Sequence, residues 1–103
     1  MSPYIKPGLL SIDEIVAQSF GIDISWLTTK SRKRIGVEAR QLAMWWRENN
    51  TKESQESIGD RYGGRDHATV IHACKTVNNL MKNNREFRVK AEDAINRLES
   101  IKN

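Results

Sequence analysis

Residues 54–75 read SQESIGDRYGGRDHATVIHACK, a short capped helix, a glycine pair and a longer amphipathic helix in one run. Ser54 is a residue type that accepts a hydrogen bond from a free backbone N–H at a helix start, so it caps a helix predicted over Gln55 to Tyr62. Gly63 ends that helix. Gly63 and Gly64 accept positive φ at little cost, which lets the chain reverse tightly. Asp66 then caps a second helix. In it Val70, Cys74, Val77 and Met81 fall at i, i+4, i+7 and i+11, a single apolar stripe that makes Cys74 a core residue and leaves His72 at the core edge. A short helix, a tight glycine turn and a second amphipathic helix make a helix-turn-helix.

The flanking sequence is helical as well. Upstream, Ser11 and Glu14 have the spacing of a capping box. Ile12, Ile15, Val16 and Phe20 follow at helical spacing, with Gly21 as a stop. Ser25 to Thr28 reads as one short turn with Trp26 and Leu27 facing inward. A basic loop is expected from Thr29 to Gly36, then a long helix from Val37 to about Asn49. Downstream, Asn83 or Asn84 caps a last helix whose stripe is Phe87, Ala91, Ala94, Leu98 and Ile101. No stretch alternates long enough for a strand. The expectation is one all-α domain over 11–103 with five to six helices, preceded by a flexible arm over 1–10 that holds Pro3, Pro7 and Gly8.

The charge is concentrated. The net charge is +4, and Lys30, Arg32, Lys33, Arg34 and Arg40 face a single acid, Glu38, within eleven residues. The rest of the chain holds twelve basic and twelve acidic residues, so the whole excess lies in this stretch. Such a focused patch is either a solvated loop or the electrostatic footprint of a polyanion partner. One cysteine builds no disulfide framework. The start lacks the pattern of a signal peptide, and no apolar run approaches a membrane span. A cytoplasmic protein, associated with the nucleoid, is expected.

The first turn of the helix after Gly64 carries chemistry suited to base edges in a major groove. Asp66 can accept from a cytosine amino group, His67 and Thr69 can hydrogen-bond, and Ala68 or the Thr69 methyl can touch a thymine methyl. Arg65 is placed to reach a phosphate. Asp66 is equally a plain N-cap, and the two roles are compatible. His67, His72 and Cys74 do not make a four-ligand metal set. Nothing matches a nucleophile elbow, a carboxylate pair or a phosphate loop, so no enzyme, cofactor or metal is expected.

Three blocks are specific. GGRDHATVIHACK over residues 63–75 resembles the signature of the C-terminal DNA-binding domain of the bacterial DnaA family of replication initiators. Ile58-Gly59 ahead of Arg61-Tyr62 and the run Ala39-Arg40-Gln41-Leu42-Ala43-Met44 resemble that family's upstream blocks, at matching spacing. The likeness extends from Ser11 to about Ser100. It implies a Trp-repressor-like helical fold and sequence-specific binding of double-stranded DNA at DnaA boxes, asymmetric sites related to TTATCCACA, as a monomer. By the same resemblance Arg32 enters the minor groove from the basic loop formed with Lys30, Lys33 and Arg34. Arg40 and Gln41 contact bases and backbone, Asp66, His67 and Thr69 read the major groove, and Arg65 and Lys75 occupy basic positions at the DNA face. Loop contacts to phosphate would give salt-dependent affinity, and the recognition helix would discriminate sequence.

The sequence departs from the family pattern in places. Glu38 and Ala39 stand where a basic residue and a proline are common, Ala68 replaces a hydroxyl residue, and Gln55 replaces an apolar one. Trp45 and Trp46 are adjacent on one helix and point about 100° apart, so one is expected in the core. The other packs there too, covers the arm or meets a protein. The departures and the arm beginning Met1-Ser2 favour a stand-alone product over a fragment of a full initiator. The competing reading is an interaction module that keeps the fold without specific DNA binding. The joint presence of Arg32, Arg40, Gln41, Asp66, His67 and Thr69 argues against it.

Overall fold

Capping geometry sets most helix ends in the computed structural model, which describes residues 11–29 and 33–102. Helix α1 spans Ile12–Phe20, a 3-10 turn follows at Ile24–Leu27, and α2 (Arg34–Asn50), α3 (Gln55–Arg61), α4 (His67–Asn83) and α5 (Arg85–Lys102) complete the chain, with no strand among the described residues. The all-α expectation therefore holds. The arm expected over 1–10, and Lys30 and Arg32 of the basic loop, lie outside the described residues.

At α1 the capping box forms in both directions, with Glu14 N–H donating to Ser11 Oγ at 3.0 Å and Ser11 N–H to Glu14 Oε1 at 3.4 Å. Gly21 closes the helix at φ 69°, its N–H donating to the carbonyls of Ala17 and Gln18. Ser54 caps α3 by accepting from Ser57 N–H, and Asn84 Oδ1 accepts from Phe87 N–H at 3.0 Å at the start of α5. The N-caps satisfy donors, and the Gly21 N–H satisfies carbonyl acceptors, that helix geometry leaves open.

The start of α2 corrects the sequence reading, which kept Arg34, Ile35 and Gly36 in the loop. All three are helical, and Val37 N–H already donates to the Lys33 carbonyl at 3.0 Å. The helical penalty of Gly36 is only about 1 kcal/mol. An i,i+4 pair of Arg34 Nε with Glu38 at 3.1 Å supports the same turn.

Helix α2 packs against all four other helices and the 3-10 turn. Its buried face comprises Ala39, Leu42, Ala43, Met44 and Trp46, while Trp45 is half-buried. On α4 the buried line is Val70, Ala73 and Val77. Cys74 and Met81, placed by pattern in the stripe, flank it half-buried, and His72 is exposed. Alanine at 73 contributes little hydrophobic signal, so the pattern missed a fully buried residue of this helix. Burial pushes the Cys74 thiol pKa up, and the charge of Glu48 adds to that rise. Helix α5 returns to α1 with Phe87, Ala91, Ala94 and Leu98 buried, and Phe87 lies 5.9 Å from Phe20 in a tilted ring pair.

A polar hub crosses this core. Arg47, 7% exposed, donates Nε to Tyr62 Oη at 2.7 Å, Nη1 to Glu53 at 2.8 Å and Nη2 to Asp13 at 3.4 Å. Tyr62 donates its hydroxyl to Asp13, and Arg61 donates twice to Glu53, at 2.8 and 3.0 Å. The hub joins α1, α2, the strap before α3, and the end of α3. Burial alone would push the Glu53 carboxyl up, but hydrogen bonds and charge from Arg47 and Arg61 outweigh it and hold it below its usual value.

The turn between α3 and α4 depends on contact between backbones. A β-carbon at Gly59 would lie 2.0 Å from the Arg65 carbonyl oxygen, whose own N–H donates to Gly59 O at 2.9 Å. Gly63 and Gly64 take φ 91° and 70°, and a β-carbon on Gly63 would meet the Thr28 carbonyl at 2.9 Å.

Gly59→Ala is therefore expected to lower unfolding free energy by about 3 kcal/mol, the upper end for overpacking, read by urea denaturation; an unchanged midpoint would refute the contact. The depressed Glu53 pKa gives a second expectation. Its stabilisation is complete above the unfolded value of 4.5 and is lost as pH falls through the lower folded value. Glu53→Gln should melt lower than the parent at pH 7 and lose less stability on acidification. Parallel melting curves from pH 7 to pH 3, an acid range chosen to span carboxylate titration, would rule this out.

Candidate nucleic-acid interface

Asp66 precedes α4 in extended backbone and accepts from Thr69 N–H and Thr69 Oγ1, each at 2.9 Å. These bonds, the backbone one first, hold its carboxyl below the usual range and ionised. One carboxylate oxygen is occupied by Thr69 in both contacts. The Thr69 hydroxyl donates to Asp66 and keeps its acceptor capacity. Capping thus fixes both side chains in place, and the cap and reader roles are compatible in this geometry. His67 and Ala68 are exposed on the first turn, and Lys75 is exposed two turns further along.

Arg65 joins this turn to α2. Its Nε donates to the Tyr62 carbonyl at 3.0 Å, which leaves the rest of the guanidinium outside that contact. Arg40, on α2, is only 6% exposed and donates Nη1 to the Thr29 carbonyl at 3.2 Å. Burial lowers its pKa, and the Arg65 charge lowers it further. The two guanidiniums are thus near enough to repel. Among the described residues no carboxylate lies within ion-pair distance of either.

The same contacts bring the basic segment to the turn. Thr28 O lies beneath Gly63, and Thr29 O is held by Arg40, so the chain entering the basic stretch starts against the helix-turn-helix. On its far side Lys33 Nζ sits 5.0 Å from the centre of the Trp26 ring. Trp26 is accordingly half-buried under a lysine, where the sequence had it facing inward; Leu27 is fully buried as expected. Lys33 and Arg34 are exposed, Gln41 is half-buried, and Glu38 is engaged with Arg34.

The structure therefore gathers Arg40, Arg65 and the first turn of α4 around the entrance to the basic stretch. Arg34 is paired locally with Glu38. Sequence reasoning overlooked Thr28, Thr29 and Trp26, which fix that entrance. Their signal was slight: two threonines and an aromatic immediately ahead of a cationic run. Among the described residues no group of three His, Cys, Asp or Glu could hold a metal ion, and no helix is long and apolar enough to cross a membrane.

Comparison with known proteins agrees with this geometry. The family model described as bacterial dnaA protein helix-turn-helix matches residues 10–77. The chain is 47% identical over 90 residues to the chromosomal replication initiator protein DnaA of Flavobacterium psychrophilum, covering 87% of this chain and 19% of that protein. The DnaA protein of Bacteroides thetaiotaomicron is 41% identical over 87 residues, covering 82% of this chain and 18% of the relative. That of a Synechococcus strain is 37% identical, covering all of this chain and 23% of the relative. The chain spans about a fifth of the length of the curated relatives it matches. The helix-turn-helix that sequence, fold and relatives have in common makes this chain a member of the bacterial DnaA C-terminal helix-turn-helix family.

Proposed function

We propose that the chain reads double-stranded DNA at DnaA-box-like sites and serves replication initiation or its control. The observation that carries this reading is that Arg40 and Arg65, neither of them ion-paired among the described residues, hold the entrance to the basic stretch and the turn into α4 through backbone carbonyls, Arg40 at Thr29 and Arg65 at Tyr62. Like charges near enough to repel cost free energy in the isolated protein, and a phosphate run would relieve that cost. The free N–H groups at the α4 start favour negative charge as well.

On this reading the first turn of α4 enters the major groove. Asp66, His67, Ala68 and Thr69 meet base edges there, and Arg65 and Lys75 meet the backbone. Lys30, Arg32, Lys33 and Arg34 engage the minor groove and its phosphates, and Arg40 and Gln41 support them from α2. The asymmetric site implied by the family calls for one copy per site, acting on the nucleoid in the cytoplasm. The printed name of the relatives, chromosomal replication initiator, supports the link to replication.

Fluorescence anisotropy with a labelled DnaA-box duplex and a scrambled duplex, at low and moderate salt, tests the proposal. Selective binding to the box with a steep salt dependence is expected. Arg65→Ala should weaken binding to both duplexes and reduce the salt slope by about one phosphate contact. His67→Ala, at an exposed position with no capping role, should leave the slope unchanged and reduce box preference by about 1–3 kcal/mol. Equal, weak binding of the parent to both duplexes would withdraw the assignment.

A further inference from the structure

Helix α2 starts on a residue that does nothing for a helix start. Ser11, Ser54, Asp66 and Asn84 precede the other four helices, and each accepts from a backbone N–H of the first turn. Position 33 carries a lysine, which makes no side-chain cap bond. An ammonium only donates, so it cannot serve as that acceptor. Its positive charge also opposes the positive end of the helix dipole. Serine, aspartate or asparagine at 33 would start the helix better.

The Lys33 side chain has a different contact. Its Nζ sits 5.0 Å from the centre of the Trp26 ring. That ring stands on a fixed base. Trp26 N–H donates to the Asp23 carbonyl at 3.0 Å, Ser25 N–H donates to the Asp23 carboxylate at 3.0 Å, and the next residue, Leu27, is fully buried. Trp26 itself is half-buried and Lys33 is exposed, so the stack lies at the surface. The same turn runs on to Thr28, against Gly63, and to Thr29, held by Arg40. The indole therefore ties Lys33 to the element that already abuts the helix-turn-helix, and so fixes the ammonium relative to the start of α4.

We propose that Trp26 is a positioning residue for DNA binding, whose indole holds the Lys33 ammonium ready for a backbone phosphate. The inference rests on the reading of the chain as a DNA binder. A lysine has a long stem with many rotamers, and ordering such a side chain on binding weakens affinity by about two- to ten-fold. A lysine already laid on a ring has lost that freedom before DNA arrives. A ring face covers one side of an ammonium, which has three donors, so stack and phosphate contact are compatible. Trp26 thus acts on DNA only through Lys33, and a phosphate contact carries no base sequence.

A double-mutant cycle tests this, with Trp26→Leu, Lys33→Gln and the two combined, read by anisotropy on the box duplex and the scrambled duplex. Lys33→Gln should weaken both duplexes and reduce the salt slope by about one phosphate contact. Trp26→Leu should weaken both by about three-fold, within the cost of ordering one side chain, and keep most of the slope, since the charge stays. In the Lys33→Gln background Trp26→Leu should have no further effect, because no ammonium remains to be held. Trp26→Phe keeps a ring face for the cation and should retain most of the parent affinity. A loss from Trp26→Leu that persists undiminished in the Lys33→Gln background marks a structural role and overturns the inference. A Trp26→Leu variant that binds as tightly as the parent, or tighter, also overturns it. NMR of the parent gives a reading that needs no variant to fold: the Trp26 ring current should shift the Lys33 ε-methylene upfield, and the shift should persist when the box duplex is added. A shift that collapses on binding means that the stack breaks to meet DNA, and the inference falls. A parent that binds neither duplex removes the DNA reading itself, an outcome distinct from an additive cycle in a chain that does bind.

Discussion

The carbonyl of Arg65 occupies the space where any residue other than glycine at position 59 would carry its β-carbon. That contact sets how closely α3 and α4 approach, and most of what matters in the molecule follows from it. The Arg65 N–H closes back on the Gly59 carbonyl, Gly63 and Gly64 complete the reversal at positive φ, and Asp66 is delivered to the start of α4 as a cap. Gly63 in turn lies against Thr28, which anchors the chain leading into the basic stretch. Two glycines thus couple α4 to a cationic segment some thirty residues earlier in the chain.

The hub around Arg47 holds the other side of this arrangement. A buried guanidinium is tolerable only when its donors are satisfied, and here Tyr62, Glu53 and Asp13 supply the acceptors from three parts of the chain. Tyr62 is the residue that ends α3, and the carbonyl of the same residue receives Arg65. The polar hub and the glycine turn therefore meet at one side chain. Packing by α2 provides the bulk of the core, but its registry with α3 is set by these directional bonds.

Local signals made much of the fold legible. Ser11 with Glu14, Ser54 and Asp66 announce helix starts because a cap depends on residues within three positions. The stripe of α5 reads directly because both α1 and α4 bury the same face. The early start of α2 was hidden by Gly36, whose local penalty is smaller than the packing around it. Cys74 outranked Ala73 in the pattern because hydrophobicity scales weigh side-chain size, whereas close helix packing also buries small residues. At the site, the order Asp66 to Thr69 was readable from the turn. The proximity of Arg40 to Arg65, the burial of Arg40 and the stacking of Lys33 on Trp26 were not, since each depends on where α2 lies in space.

The first and last helices also bear on how the domain is made. Arg97 donates to Ser19 Oγ at 3.3 Å and to Gln18, and Phe87 closes over Phe20. Translation releases α5 after every element it covers. A ribosome therefore exposes the whole helix-turn-helix before α5 reaches α1, and during that interval the side of Phe20 that meets Phe87 remains uncovered. Bringing α5 back to α1 closes a long loop, and that closure waits until α5 has been made. The helix-turn-helix is made before the helix that covers Phe20.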